Sequence, residues 1–355
     1  MNLTIERADL ARMLTAVSRA VERRNTIPIL SHVLLTAADG YLSAKGTDLD
    51  VEAVAIADAN ITTPGAVAVD AVRLTDIAKK MVGAEVTLTL SDDKLTVRAG
   101  RSRFALATLP AGDFPTLTAK DDWTAEFDLD IAAFTAPVNF AQSEEEARYF
   151  LNGTYLHTLD GNLIAVATDG HRLAKNSIPA PDGVSLLPGV IVPRKAVALL
   201  PKGEVHVQIS QSKIRLSTKD GAITSKLVEG TFPDYARVVP TGNNIMVSVG
   251  RDDFIKAVAR ATSVGDSKRA SPLKVSIASG GITLSMRGDG GEANEELPIE
   301  FTGEPFEFGV NGRYVGDVLG AFTGKDVEFA FADAGAPILV RGQGMDLAVI
   351  MPMRV

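Results

Sequence analysis

The chain has 355 residues, of which 46% are hydrophobic and 23% charged, and this composition is typical of a folded protein. A single hydrophobic core rarely extends over so long a chain, so we expect two or three domains. The absence of cysteine excludes disulfide bonds and thiolate metal sites. No apolar stretch approaches about 18 residues and the first residues already follow a strand pattern, so we expect a cytoplasmic protein without a membrane span or a secretory signal.

The predicted elements repeat three times at a spacing of about 120 residues, which is the usual size of a domain. A strand followed by an amphipathic helix opens each repeat, at 3–14, 125–134 and 246–258. Dipeptides that favour two-residue hairpins follow, at Asp39-Gly40, Asp160-Gly161 and Gly280-Gly281. A second strand and helix come next, at 66–74, 190–197 and 306–315, and further strands close each repeat.

Each repeat therefore consists of a strand, a helix and three strands, and then the same series again. This order predicts an α+β protein with six helices packed on antiparallel sheets, built from three copies of one domain. We place the domains at 1–120, 121–243 and 244–355. The helix-like segments are 5–25, 70–82, 128–148, 193–204, 250–269 and 310–326.

Charge is distributed unevenly between these elements. The net charge is −8, yet the predicted helices together are slightly basic, so the strands and loops carry the excess acid. Two explanations of the basic helices are open. Solvated helix faces commonly hold Lys and Arg, or the helices form a weakly basic surface for nucleic acid. Segment 128–148, with Glu at 144–146, is an exception to the basic pattern.

Sequence signatures of catalysis and cofactor binding are absent. There is no Gly-x-Ser-x-Gly and no His-Glu-x-x-His motif, and 320–326 lacks the spacing of a phosphate-binding loop. The four histidines have no ligand spacing on a common helix, so we expect no cofactor, no metal and no enzymatic activity. One cluster, 168–173, contains Asp169 and His171, which could serve a hydrolase as a catalytic pair or could simply form a turn that ends a strand.

Seven motifs in order carry a family resemblance. They are Thr-Asp-Leu-Asp-Val-Glu at 47–52, Arg-Ser-Arg-Phe-Ala-Leu-Ala-Thr-Leu-Pro at 101–110, Arg-Tyr-Phe-Leu-Asn-Gly at 148–153, Ala-Thr-Asp-Gly-His-Arg-Leu-Ala at 167–174, Ile-Val-Pro-Arg-Lys at 191–195, Phe-Pro-Asp-Tyr at 232–235 and Met-Pro-Met-Arg-Val at 351–355. Together they resemble the bacterial sliding clamp, the beta subunit of DNA polymerase III, along the whole chain. The resemblance implies a processivity factor that forms a head-to-tail ring of two subunits around duplex DNA, with twelve helices lining the hole.

The resemblance also implies DNA contacts that are independent of sequence. It assigns them to the basic residues Arg24, Arg73 and Lys195 and to the aromatic pair Tyr149 and Phe150. Aromatic rings can stack on the bases of a single strand. Core packing is the alternative role for the aromatic pair, and Phe150 stands where the family has a second tyrosine.

A groove for short hydrophobic peptides is implied as well, with the DNA polymerase III alpha subunit, the clamp loader, other polymerases and repair proteins as partners. The residues that match it are Leu151, Thr168, Gly170, His171, Arg172, Leu173, Pro233, Arg237, Val238, Val349, Met351, Pro352, Met353 and Arg354. Flexible methionines suit ligands of several shapes, and we expect Arg172 and Arg354 to face Gln or acidic residues of the ligand. The alternative for 351–353 is the end of a core strand.

The ring would close between domain 1 of one subunit and domain 3 of the next through sheet edges. Phe104 and Leu106 match the apolar side of that interface, and Ser263 and Val264 lie opposite. Two other functions stay open at this point, namely a ring-shaped peptide scaffold that does not load onto DNA and a hydrolase built on the 168–173 cluster. No membrane partner is expected.

Overall fold

The computed structural model describes residues 1–22, 26–117, 122–184, 187–265, 271–288 and 291–355. The first repeat contains helices α1 Arg7–Val17 and α2 Ala71–Lys80. Its strands are β1 Asn2–Glu6, β2 His32–Ala38, β3 Tyr41–Thr47, β4 Val51–Asp58, β5 Asn60–Thr63, β6 Gly65–Asp70, β7 Glu85–Ser91, β8 Lys94–Ala99 and β9 Ser102–Leu109.

The second repeat contains helices α3 Ile131–Thr135 and α4 Arg194–Val197. Its strands are β10 Ala125–Leu129, β11 Gly153–Leu159, β12 Asn162–Thr168, β13 Arg172–Pro179, β14 Val190–Pro193, β15 Val205–Ile209, β16 Lys213–Thr218 and β17 Gly221–Lys226. Short 3-10 helices occur at Pro28–Ser31, Ala111–Asp113, Ala136–Ala141, Glu146–Leu151 and Tyr235–Val238.

The third repeat contains helices α5 Arg251–Thr262 and α6 Gly312–Ala321. Its strands are β18 Ile245–Gly250, β19 Pro272–Ala278, β20 Gly281–Gly288, β21 Gly291–Pro298, β22 Phe306–Asn311, β23 Asp326–Phe331, β24 Ile338–Gly342 and β25 Met345–Ile350. The predicted order of strand, helix and three strands, given twice per repeat, is confirmed in all three repeats, with the short β5 as an addition in the first.

Several helices begin at a polar residue that ends the preceding strand. The side chains of Asp70, Asp130 and Asn311 accept hydrogen bonds from backbone N–H groups in the first turns of α2, α3 and α6. Such caps satisfy donors that have no partner inside the helix. The cap explains why a strand passes directly into a helix at the same place in different repeats.

Two predicted helices are much shorter than expected. Segment 128–148 forms only the five residues of α3, followed by 3-10 turns, because Pro137 has no N–H to bond a carbonyl of the preceding turn and so cannot continue the α-helical hydrogen bonds. Segment 193–204 forms only the four residues of α4, and Pro201 limits any continuation. Hydrophobic periodicity therefore overestimated the helix content of the second repeat.

The predicted hairpins form, with one shift. Asp39 and Asp160 have φ values of 52° and 51°, and each is followed by a glycine with positive φ. A type I′ turn requires positive φ at both of its central residues. In the third repeat Ala278 pairs with Gly281, so the turn is Ser279-Gly280 rather than Gly280-Gly281. The turn therefore lies one position earlier than predicted, and Gly280, with a φ of 88°, is its second residue.

The chain divides into two compact units, residues 1–129 with 198–227, and residues 130–197 with 228–355. The first unit contains a 13-stranded sheet in which β17 pairs with β4. The second contains an eight-stranded sheet, in which β13 pairs with β25, and a four-stranded sheet of order β21-β20-β19-β22. Strands of the central repeat therefore join a sheet of each neighbouring repeat.

Strand alternation and helix stripes build the cores. In β2 the side chains of Val33, Leu35 and Ala37 are buried, and in α1 Leu10 and Met13 are buried at helical spacing. Fully burying a side chain of this size contributes about 2 kcal/mol before entropy is subtracted. Among the described residues, no helix is long and apolar enough to cross a membrane.

Candidate functional site: a groove in the second unit

The turn between β12 and β13 is the best-defined part of the candidate groove. Thr168 Oγ1 donates to Arg172 O at 2.7 Å and accepts from Gly170 N at 3.1 Å. Asp169 Oδ1 accepts from the backbone N–H groups of His171 and Arg172 at 2.9 and 3.0 Å. Gly170 has a φ of 86°, which favours glycine. Short polar side chains thus fix the backbone of this turn.

Asp169 and His171, the two residues that a hydrolase would need, both make contacts within the fold. The Asp169 carboxylate is occupied by two backbone donors and by Arg172 Nε at 3.1 Å. The His171 ring stacks on Tyr314 of α6, with centroids 6.1 Å apart. The turn interpretation of this cluster therefore explains the geometry better than a catalytic pair does.

The guanidinium of Arg172 lies in a largely enclosed position. It bonds to Asp169 and, through Nη1, to Asp317 of α6, and its side chain is only 10% exposed. Its Cζ lies 4.4 Å from the ring centroid of Tyr314 and 5.3 Å from that of Phe140. The expectation that Arg172 faces acidic groups of a ligand is not supported by this geometry, because two carboxylates of the protein already occupy it.

A cluster of buried apolar side chains forms the floor of the groove. Leu151, Leu173 and Val349 come from a 3-10 helix, from β13 and from β25, and each is at most 3% exposed. They pack in one cluster with Ile164, Val166, Ile191, Phe232, Ala330 and Leu339. Three segments distant in sequence therefore meet in one buried apolar cluster beneath the candidate groove.

The wall that carries Pro233, Arg237 and Val238 is held by aromatic contacts. Phe232 stacks on Tyr155, with ring centroids 4.7 Å apart and planes within 1°. Tyr235 Oη lies 2.9 Å from His157 Nε2. Burial raises the pKa of Tyr235 to about 12 and lowers the pKa of His157. The neutral phenol and the neutral imidazole are thus the forms that this wall stabilises.

The C-terminal segment 351–355 forms the rim on the other side of the turn. Met351 N donates to His171 O at 2.9 Å, which extends the β13–β25 ladder by one residue. Met351 is 40% exposed, Pro352 and Met353 are half-buried and Arg354 is exposed. On the opposite wall Val238 is 49% exposed. The rim is therefore exposed and apolar, and the core-strand alternative for 351–353 does not describe it.

The residues expected to contact DNA lie in different environments. Tyr149 is 54% exposed, whereas Phe150 is half-buried and packs against the groove cluster. The side chain of Arg73 is 75% exposed on α2, and Lys195 is half-buried on α4. Arg24 lies outside the described residues. For Phe150, packing is the contact that the structure records.

The residues expected at the subunit interface lie beside strand edges. Phe104 is 40% exposed on β9, and Leu106 is half-buried. Among the strands that the structure describes, β9 pairs only with β8 between Ser102 and Ala107, because its pairing with β6 involves Thr108 and Leu109. Val264 is half-buried just beyond α5. The β9 edge is thus open beside Phe104.

Sequence reasoning missed the residues that support the groove from behind. Phe140 lies in a 3-10 helix, and Tyr314 and Asp317 lie on α6, whose helical pattern was recognised without any signal for contact with the 168–172 turn. Tyr314 contacts both His171 and Arg172. Only the pairing of β13 with β25 brings the second and third repeats close enough for these contacts.

Comparisons with known proteins show the family of the chain. The sequence matches the profiles of the DNA polymerase III beta subunit N-terminal domain over residues 1–118, its central domain over 130–234 and its C-terminal domain over 236–354. The chain is 44% identical to a beta sliding clamp of Caulobacter vibrioides and 39% identical to that of Escherichia coli K12, each over the full length of both proteins. It also matches the crystal structure of a sliding clamp from Bartonella birtlesii bound to griselimycin, with 39% identity, a TM-score of 0.96 and complete coverage of both chains.

The repeated domains and the matching profiles define a DNA polymerase processivity factor. The chain belongs to the DNA polymerase III beta subunit family, the beta sliding clamps. Its fold of three clamp domains, expected from the sequence repeat, is confirmed. Membership in this family implies binding to DNA and to a polymerase, and association into a dimer.

Proposed function

We propose that two copies of this chain form a head-to-tail ring around duplex DNA in the cytoplasm, and that the groove of the second unit receives short hydrophobic peptides. The peptides would belong to the DNA polymerase III alpha subunit, the clamp loader, other polymerases and repair proteins. The observation that carries this proposal is an apolar floor beneath an exposed rim of Met351 and Val238. The role is tethering and requires no catalysis.

The groove has the physical features of a peptide site. The exposed side chains of Met351 and Val238 can contact an apolar side chain of the ligand above this buried cluster, and the methionines can adapt to ligands of different shape. Arg354 and Arg237 are the exposed cations at the rim, so they, rather than Arg172, are placed to meet polar or acidic ligand groups.

Weak DNA contacts fit an acidic chain that must slide. Phosphate contacts create salt-dependent affinity in proportion to their number, so a sliding ring needs few of them. The exposed Arg73 and Tyr149 support this role, and Lys195 and Arg24 are further candidates from the resemblance. Phe150 contributes by holding the Tyr149 segment against the groove cluster, with the two rings 5.8 Å apart.

Open strand edges support ring closure. The free edge of β9 carries Arg103 and Phe104, whereas β21, an edge of the four-stranded sheet, carries the exposed Glu292 and Glu296. Opposite charges on two unpaired edges favour antiparallel addition of one strand to the other. We infer that β9 of one subunit meets β21 of the next, with Val264 beside the contact. The domain boundaries at 1–120, 121–243 and 244–355 belong to the same proposal.

A fluorescence-anisotropy titration tests the groove. The probe is a labelled peptide Gln-Leu-Ser-Leu-Phe, and the proteins are the full chain and a chain that lacks residues 351–355. We expect saturable binding by the full chain and its loss on truncation. Val82→Ser, which changes an 83% exposed apolar residue of the other unit, serves as control and should bind like the full chain. A folded full chain that binds no peptide would contradict the proposed groove.

Loading onto DNA separates the ring from a scaffold that binds only peptides. With a clamp loader and ATP, we expect the protein to be retained on nicked circular DNA and to be released when that DNA is made linear. Retention on linear DNA at the same level would indicate ordinary electrostatic binding and would contradict a topological link.

A further inference from the structure

The C-terminal segment 351–355 is tied down at two points. Met351 N donates to His171 O, and Met353 N donates to Gly309 O of β22, both at 2.9 Å. Pro352 between them has no N–H group, so each backbone donor from 351 to 353 is bonded. Chain termini usually fray unless they are held in this way.

Gly309 lies directly beneath this segment. A Cβ atom at this position would be 2.3 Å from the carbonyl oxygen of Met353 and 2.5 and 2.7 Å from the two methyl carbons of Val355, closer than real Cβ atoms approach other heavy atoms. Gly309 is not among the residues with positive φ, so its backbone conformation suits any amino acid. Space for the terminal segment is therefore what requires glycine here.

We infer that Gly309 is a positioning residue for the peptide groove, because its missing side chain lets β22 hold the C-terminal rim in place. The inference rests on the proposed function of the groove. Met351 and Met353 lie on either side of the Pro352 bend, and both hydrogen bonds are needed to fix them. A side chain at position 309 must push Met353 away, and binding sites lose affinity when their supporting contacts loosen.

The first experiment compares two substitutions of glycine by alanine. Gly309→Ala should weaken binding of the labelled Gln-Leu-Ser-Leu-Phe peptide about tenfold, a change of about 1.4 kcal/mol. Gly320→Ala is the matched control, because a Cβ atom there meets nothing within 4 Å on an exposed part of α6. The control should bind like the unchanged protein.

A second readout reports on the terminal segment without any peptide ligand. Carboxypeptidase Y, followed by mass spectrometry, should remove residues from Gly309→Ala faster than from the unchanged protein or the Gly320→Ala control. Deletion of Val355 removes the exposed side chain that supplies two of the three atoms nearest to a Cβ atom built at position 309, and so tests whether packing of Val355 over Gly309 supports the rim. It should weaken peptide binding by about threefold, which converts to less than 1 kcal/mol.

The outcomes separate this inference from the proposed groove. Faster trimming of the C-terminal segment in Gly309→Ala, together with weaker peptide binding, supports the role of Gly309 in positioning that segment. Equal peptide affinity of Gly309→Ala and the unchanged protein overturns the inference, whether or not trimming changes, and leaves the groove standing. If Gly309→Ala does not fold, unchanged affinity after deletion of Val355 overturns the inference. An unchanged protein that binds no peptide overturns the groove and this inference with it.

Discussion

At the scale of single residues, Arg172 shows how a side chain in a recognised motif can have a structural role. Its guanidinium bonds to Asp169 and Asp317 and lies between the rings of Phe140 and Tyr314. It connects the turn that shapes the groove with α6 of the next repeat. These ion pairs therefore hold the 168–172 turn against α6.

Replacing Arg172 by alanine should destabilise the fold by about 3 kcal/mol, because the Asp169 and Asp317 carboxylates lose their shared cation and Asp169 keeps only its backbone donors. Urea denaturation measures the change in the free energy of unfolding. Arg237→Ala removes an 84% exposed arginine that pairs with Asp234, and should cost less than about 0.5 kcal/mol. Equal losses in the two variants would contradict the structural role of Arg172.

Gly170→Ala should be more destabilising than Gly161→Ala. Both glycines have positive φ, 86° and 76°, so each alanine variant is expected to lose about 1 kcal/mol from backbone strain. A Cβ atom added at position 170 would also lie 2.5 Å from Arg148 Nη1, whereas a Cβ atom added at position 161 would have no atom within 4 Å. Chemical denaturation should show an additional loss for Gly170→Ala, together with weaker peptide binding, and identical losses would exclude an effect of Arg148.

The His157 contact predicts a pH dependence of stability. Burial lowers the pKa of His157 in the folded state, with a smaller effect of Lys175, so below its ordinary value of about 6.5 the unfolded chain binds the proton more readily. Stability should therefore fall as the pH decreases from 7.5 to 5.5. His157→Gln keeps an acceptor for Tyr235 but cannot titrate, so the pH profile of its unfolding free energy should be flatter. Parallel profiles would contradict this origin.

At the scale of elements, the first repeat contains a copy of the groove turn. Thr47 Oγ1 donates to Val51 O and accepts from Leu49 N, and Asp48 Oδ1 accepts from the N–H groups of Asp50 and Val51. These are the bonds of the 168–172 turn, and Leu49 has a φ of 80° where the second repeat has glycine. The same backbone device therefore ends β3 in one repeat and β12 in the next.

The residue after the turn differs between the two copies. Leu173 contributes to the apolar floor of the groove, whereas its counterpart Glu52 is 1% exposed. Glu52 Oε2 accepts from Leu117 N at 3.0 Å and from Thr116 Oγ1 at 3.2 Å, and lies 3.5 Å from Lys45 Nζ. A carboxylate thus bonds a loop in the first repeat at the position where the second repeat has an apolar floor.

Glu52→Leu should therefore destabilise the first unit by about 3 kcal/mol, because it leaves the Leu117 N–H without its acceptor and Lys45 without its carboxylate. Glu52→Gln keeps an acceptor and should cost about half as much. Thermal and urea denaturation of both variants measure the difference. A leucine variant as stable as the glutamine variant would show that the hydrogen bonds and the ion pair of Glu52 do not contribute to stability.

At the scale of the whole molecule, we expect the edge of β9 to mediate the proposed dimer contact. Phe104→Ser should leave monomer stability nearly unchanged, since the side chain is already 40% exposed, yet weaken the dimer more than tenfold, about 1.4 kcal/mol or more. Sedimentation velocity at several concentrations measures the dissociation. Tyr41→Ser, at a 51% exposed aromatic residue of the same unit, is the control and should dimerise normally. Normal dimerisation of Phe104→Ser would exclude the β9 edge.

The sequence by itself determined the three-fold repeat, the order of strands and helices, two of the three hairpin turns and the family, because these follow from local periodicity, turn chemistry and contiguous motifs. The assignment of Leu151, Leu173 and Val349 to a peptide groove comes from the resemblance alone and stays a prediction. The lengths of α3 and α4 were overestimated where prolines overrule hydrophobic periodicity.

Only the tertiary structure decided which repeats share a sheet and what the groove residues contact. The pairing of β13 with β25 brings Tyr314 and Asp317 to Arg172. Segment 351–355 packs against β22 at Gly309, which explains why a residue without a side chain is found there. These contacts join residues more than 40 positions apart, as 309 and 353 are, and no local pattern specifies them. Long-range packing, rather than motif identity, fixes whether a given arginine or glycine serves the ligand directly or the wall that holds it.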